Sequence, residues 1–365
     1  MALLRRRDTL QLAAVGLSAA ALGLGRYAWA GSAEAAGADA ALTTVAPELR
    51  DAAIKVIAAT CGFHPMGADR LPMLRAALAT AKTPEGSAIP VRVERVPVGP
   101  GRPAVTVYVI NERPGAVARP AILHTHGGGF VTGSALLELP GLISVAGELD
   151  CVIVSVEYRL SPEVTWRESL AETWAALRWL HADAASLGVD PRRIAVFGES
   201  AGGGHAALLA LRARDSGDVP LAFQCLIYPM LDDRTGTTRF PEPGFGTIGW
   251  DAEANRYGWR AFLGVAPATD AVPDEAVPMR AASLRGLPAT FIGVGAIDLF
   301  APEDIAYAQR LNASGVPCEL LVLPGAFHGF DKVAPDASLS RRLAAARIGA
   351  LRQGLAQTSA MTGAN

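Results

Sequence analysis

Residues 194–207, IAVFGESAGGGHAA, decide how this chain is read. Ile194–Phe197 is a short, continuous apolar run of strand length, and from Ala201 to Asp215 apolar residues recur at helical spacing. Between them, Gly198-Glu199-Ser200-Ala201-Gly202 fits G-x-S-x-G. A sharp strand-to-helix turn lifts the central serine above a sheet edge, and the N-terminus of the following helix favours negative charge developing there. The bare pattern is weak, because Gly, Ser and Ala are common, and a glycine-rich turn that merely opens a helix would look the same. The flanking strand and helix make Ser200 a candidate nucleophile. A phosphate-binding loop is disfavoured, since GESAGGGHA lacks the Gly-Lys-Ser/Thr ending.

Outward from this turn the chain alternates. Strand-like runs fall at 91–98, 104–110, 121–125, 152–156, 194–197, 223–228, 290–294 and 319–323, eight in all. Amphipathic stretches separate the later ones, at 136–149, 167–185, 201–215 and 302–314, with a terminal one at 338–355. Such alternation predicts an α/β fold with a mostly parallel sheet flanked by helices and joined by right-handed crossovers. Two helical segments within 45–81 precede every strand and are expected to pack outside the sheet. Residues 232–283 break the rhythm: they are rich in Gly, Pro and Trp, carry one helix at 253–263, and read as a lid.

Three loops carry partners for Ser200. His126-Gly127-Gly128-Gly129-Phe130 follows the third strand, where glycine N–H groups of 127–129, with that of Ala201, can face a developing oxyanion. His328, in PGAFHGF at 324–330 after the last strand, is the best-placed base, and Asp298, ending GAID at 295–298, is the best-placed orienting acid. Glu303 and Asp304 compete for that role but more naturally cap the helix that starts near Pro302. His64, His181 and His205 read as packing or surface residues. His124 and His126 form an H-x-H pair with no Asp at ligand spacing, so no metal is expected, and His126 is assigned to shaping the glycine loop. Phe130, Trp250, Tyr257, Trp259 and Phe262 either line a substrate pocket under the lid or form the lid's own core.

The 365 residues are 50% apolar and 19% charged, which fits a compact domain. With 33 basic and 35 acidic residues the net charge is −2, so there is no electrostatic footprint for nucleic acid. Four separated cysteines and no CxxC argue against structural zinc and a disulfide scaffold. The first thirty residues have a basic start, an apolar run from Leu10 to Leu24 and Ala28-Trp29-Ala30, the pattern of an export signal. The run falls short of the ~20 strongly apolar residues of a membrane span, so no stable span is expected after processing. Arg6-Arg7-Asp8-Thr9-Leu10-Gln11 is similar to a twin-arginine motif, which favours that route over a Sec-type signal and predicts a periplasmic or secreted product. Without residues 1–30, which hold four basic residues and one acidic one, 29 basic and 34 acidic residues remain, a net charge of −5. Residues 31–44 read as a flexible tether, 45–357 as the catalytic domain with its cap from 45–85 and 232–283, and 358–365 as a tail.

HGGGF at 126–130, YRLSPE at 158–163, GESAGG at 198–203, GAIDLF at 295–300 and GAFHGF at 325–330 together resemble the hormone-sensitive-lipase-like group of α/β hydrolases, bacterial esterase family IV. The resemblance spans residues 45–355. It implies an eight-stranded α/β-hydrolase fold with a helical cap and a cofactor-free serine carboxylesterase for short- to medium-chain esters. By the same motifs Ser200 is the nucleophile, Asp298 the triad acid, His328 the base and Gly127–Gly129 the oxyanion loop. A specialised deacetylase or lactone hydrolase uses the same triad, while receptors on this scaffold lack the histidine that His328 supplies. Relatives often dimerise through a sheet edge, so a homodimer is a further expectation. Glu199 stands where the family often has Asp, VTWRESLAET follows YRLSPE in place of a Pro-Ala-Ala-rich stretch, and the leader is not typical of the family.

Overall fold

The computed structural model describes residues 41–60, 66–79, 87–115 and 118–356. All eight expected strands form: β1 (Val91–Val96), β2 (Val105–Ile110), β3 (Arg119–Thr125), β4 (Val152–Glu157), β5 (Val189–Glu199), β6 (Phe223–Ile227), β7 (Ala289–Gly295) and β8 (Cys318–Leu323). They make one sheet in the order β1-β2-β4-β3-β5-β6-β7-β8. β2 pairs antiparallel with β1 and β4, and the pairs from β4 to β8 are parallel.

The central strands are apolar on both sides because both faces are covered. Within β4, Val152, Val154 and Val156 enter one core while Ile153 enters the other. The first core holds α4 (Trp166–Ala182), α5 (Ala201–Ser216) and α7 (Ala301–Ala313); the second holds α3 (Ala135–Leu149) and α9 (Ser338–Ala356). Helix ends follow local chemistry. Ser134 accepts a hydrogen bond from the Leu137 N–H at the start of α3, Thr165 and Glu168 form a capping box on α4, and Gly217 ends α5 in the left-handed region.

Ahead of the sheet, α1 (Arg50–Thr60) and α2 (Leu71–Leu78) form within the segment expected to be helical. The expected tether ends sooner than 44. Residues 41–44 are helical and 47–49 form a 3-10 turn, and Ala41, Val45 and Leu49 are buried in the second core. Residues 1–40, His64 and the 358–365 tail lie outside the described residues. The 232–283 insertion carries the expected helix, α6 (Ala252–Leu263), and two 3-10 turns, Asp274–Ala276 and Pro278–Arg280. Buried acids fasten it: Asp232 pairs with Arg234 and Arg239, and Asp233 with Arg280. Among the described residues no helix is long and apolar enough to cross a membrane, and no three metal-ligating side chains cluster.

Candidate active site

The carboxyl ends of β3, β5, β7 and β8 lie along one edge of the sheet, so the loops that follow them converge. Ser200, between β5 and α5, has φ +55°, a strained conformation for a side chain bearing a Cβ. The neighbouring chain holds it there: the Ser200 N–H donates to the Ile227 carbonyl at 2.9 Å, and the Met230 N–H donates to the Ser200 carbonyl at 3.0 Å. Gly202 is required by contact, since a Cβ there would stand 2.0 Å from the Thr125 carbonyl oxygen.

His328 Nε2 lies 3.0 Å from Ser200 Oγ, and its Nδ1 lies 2.9 Å from Asp298 Oδ2. The other oxygen of Asp298 accepts the Phe300 N–H at 2.9 Å, which fixes the carboxylate plane. Asp298 is fully buried, whereas the His328 side chain is 11% exposed. Residues 30 and 128 positions apart thus form one hydrogen-bonded chain.

Glu303 and Asp304 do not cap α7. Its N-cap is Phe300, with no side-chain cap, and Glu303 instead accepts the N–H groups of Leu231 and Asp232 at 2.6 and 3.1 Å. Asp304 is buried with no hydrogen-bond partner for either oxygen among the described residues. Burial pushes both carboxyls well above the ordinary range.

In the glycine loop Gly128 and Gly129 take φ values of +122° and +60°, open to glycine at little cost. Carbonyls of the loop are occupied. The Val131 and Thr132 N–H groups donate to Gly128 O, and Ser161 N–H donates to Phe130 O. The Gly128 and Gly129 N–H groups have no acceptor among the described residues. Ala201, the first residue of α5, has no in-helix acceptor for its N–H either. His126 shapes this loop: its Nδ1–H donates to Gly127 O at 2.8 Å, its ring stacks on Tyr158 at 4.2 Å, and the Tyr158 hydroxyl donates to His126 O at 2.6 Å. Burial lowers its pKa to about 4, so it is neutral at neutral pH. Arg75, on α2, donates to Val131 O and Ser161 O at 2.8 Å each and pairs with Glu163. That contact spans 56 or more positions, and nothing local in the sequence announces it.

Beneath Ser200 lies a second chain of the same residue types. His124 Nδ1 is 2.9 Å from Ser155 Oγ, and its Nε2 is 2.9 Å from Glu199 Oε2. Lys332 and Arg347 approach Glu199 at 3.6 and 3.9 Å, and Lys332 also pairs with Glu138. Burial alone would raise the Glu199 carboxyl, yet the charge of Lys332, reinforced by His124 and Arg347, draws it below its ordinary value.

Three aromatic pocket candidates belong to the core. Phe130, Trp259 and Phe262 are at most 1% exposed. Phe130 stacks on Phe262 at 3.9 Å, and both lie edge-to-face with His205 at 5.4 Å. Gly129 and Phe130, both at positive φ, turn the phenyl ring inward beneath the loop. Trp250 is the exception. It is partly exposed, its ring lies against Gly129, 2.1 Å from where a Cβ would stand, and its Nε1–H donates to Asn255 Oδ1 at 3.2 Å. Tyr257 is also only half-buried.

Residues 122–332 match the model of a family described by its alpha/beta hydrolase fold. The chain is 34% identical over 294 residues to the carboxylesterase NlhH of Mycobacterium tuberculosis, covering 79% of this chain and 90% of that protein. Among solved structures it is similar to a bacterial heroin esterase (TM-score 0.73, 37% identity, 86% of this chain and 99% of that one). It is also similar to the esterase LipW of Mycobacterium marinum (TM-score 0.70, 34% identity, 87% and 98%).

Proposed function

We propose, from the premise that this chain belongs to the hormone-sensitive-lipase-like branch of the α/β-hydrolase family and is a carboxylic ester hydrolase, that Ser200, His328 and Asp298 carry out acyl transfer to water. The observation that carries this reading is the hydrogen-bonded chain from Ser200 Oγ through His328 to Asp298, beside a loop with free N–H groups. Ser200 Oγ attacks the ester carbonyl while His328 Nε2 takes its proton. The oxyanion then accepts hydrogen bonds from Gly128, Gly129 and Ala201, each donor being worth about 3–4 kcal/mol in such sites. Collapse breaks the bond to the alcohol oxygen, which leaves with the proton from His328. Water repeats the sequence on the acyl-serine and releases the acid. Asp298 holds the tautomer and stabilises the imidazolium without taking the proton.

Short- and medium-chain esters are the substrates this site suits. Trp250 beside Gly129 and the filled core under Phe130 support a compact acyl space. An alkyl p-nitrophenyl phosphonate tests the chemistry: one adduct is expected, on the Ser200 peptide, with loss of activity. Ester hydrolysis that survives complete labelling, or an adduct elsewhere, sinks the assignment. A panel varying acyl length and alcohol bulk tests the range, and heroin belongs in it because of the similar solved enzyme. Turnover should fall steeply beyond medium acyl chains; a flat profile to long triglycerides contradicts the compact site. The 1–30 pattern supports export, for which the intact mass of the secreted protein should show cleavage near Ala30.

A further inference from the structure

Tyr228 follows β6 and immediately precedes Pro229, yet its φ is +36°. For a bulky side chain this is a strained backbone conformation, which persists only where the surroundings over-determine it. Here they do. The Tyr228 N–H donates to Gly293 O at 2.7 Å, and the residue is 2% exposed. On either side of it, Ile227 O accepts the Ser200 N–H and Met230 N–H donates to Ser200 O. The corner therefore grips the backbone of the nucleophile from both sides.

The unusual φ aims the phenol at the other half of the site. The Tyr228 ring lies 4.8 Å from the His328 ring at 66°, and Phe300 closes the opposite contact at 5.2 Å and 86°. The Tyr228 hydroxyl donates to Asp331 Oδ1 at 2.8 Å. Asp331 lies on α8 (Phe330–Val333), three positions after His328. Burial keeps the phenol protonated and hence a donor. One residue thus ties the corner that holds Ser200 to the short helix that carries on from His328, with its ring against the imidazole.

We propose that Tyr228 is a positioning residue, a brace that sets the alignment of His328 with Ser200 through its ring contact and its hydroxyl bond to Asp331. A phenylalanine would fill the same space, so packing alone does not require the hydroxyl. Alignment does, because near-attack geometry is lost steeply with displacements of about 1 Å, at a cost of about a hundredfold in rate.

The inference rests on Ser200 and His328 acting as proposed above, and the test separates the two. The wild-type enzyme is first treated with an alkyl p-nitrophenyl phosphonate; failure to label Ser200 removes the catalytic reading itself. Given labelling, Tyr228→Phe should lower kcat about tenfold with KM changed less than about twofold, and slow phosphonylation by the same factor. Asp331→Ala should match it, Asp331→Asn, which keeps an acceptor oxygen, should recover most of the rate, and the double variant Y228F/D331A should be no slower than either single one. Asp331 is only half-buried, so D331A and D331N test the same bond even where Y228F folds poorly. Wild-type kcat and labelling rate in Y228F, a loss confined to KM, multiplying losses in the double variant, or D331N as slow as D331A would each overturn the brace.

Discussion

Two serine–histidine–carboxylate chains lie within this molecule, one at the sheet edge and one beneath it. In both, each hydrogen bond is 2.9–3.0 Å long. They differ in everything else. Ser200 sits on a strained turn and is 6% exposed, and His328 is 11% exposed, while Ser155 and His124 are wholly buried within strands. Ser155 has its backbone in the β4 ladder, paired on both sides. Glu199 is pinned by two cations, whereas Asp298 is held by a backbone N–H. Hydrogen-bond geometry alone therefore does not identify a nucleophile. In the proposed reading, access, a raised turn and nearby N–H donors point to Ser200; Glu199 of the lower chain directly precedes Ser200, and Lys332 follows His328 by four positions.

Substitutions should separate the chains by what they damage. Ser200→Ala should remove ester hydrolysis, and Asp298→Asn should lower kcat by about 10⁴-fold, both with little loss of stability by denaturant titration. The equivalent change below should act on folding. Glu199→Ala removes the carboxylate partner of Arg347 and His124 and one of those facing Lys332, and should cost about 3–5 kcal/mol of unfolding free energy. Ser155→Ala should cost about 1–3 kcal/mol by leaving a buried ring nitrogen unpaired, with kcat within a few-fold of wild type; a Ser155→Ala enzyme that is stable but inactive would break the distinction.

Acid acts on the buried rings by degrees. Burial lowers His126 to about 4 and His205 to about 3, and among the described residues neither His205 nitrogen has a hydrogen-bond partner. Between those values and the ordinary 6.5, the unfolded chain binds protons that the folded chain refuses. Their contribution is fully present above pH 6.5 and is lost as pH falls toward 4 and 3. Replacing His205 with Leu should flatten that decline by up to about 1.4 kcal/mol per pH unit. An unchanged slope in urea titrations between pH 6 and 4 would mean that His205 is not excluded from protonation as its burial requires.

The strands show how far a local pattern carries. All eight lie where strand-like runs place them; the central ones are apolar along their length because both faces are covered, whereas β1, VRVERV, alternates and buries only Val96. β5 nonetheless begins at Val189, five residues before the apolar run, through a polar Asp-Pro-Arg-Arg stretch. Val189 pairs with Arg119 across a register shift, a bond made by the neighbouring strand and invisible in the run itself. The same limit applies to Glu303. Its position at a helix start suggests a cap, but the amides it binds belong to Leu231 and Asp232, over seventy positions away.

By itself the sequence determined the alternation of strands and helices, the glycine-flanked turn at Ser200, and the carriers of Asp298 and His328 at strand ends. These follow from side-chain period and from backbone conformations open only to certain residues, both local properties. Only the tertiary structure decided the strand order, the burial of Phe130 and Trp259, and which of two similar hydrogen-bonded chains meets solvent. Those depend on partners 30 to 128 positions apart and on which side chains water can reach, and neither is fixed until the layers pack.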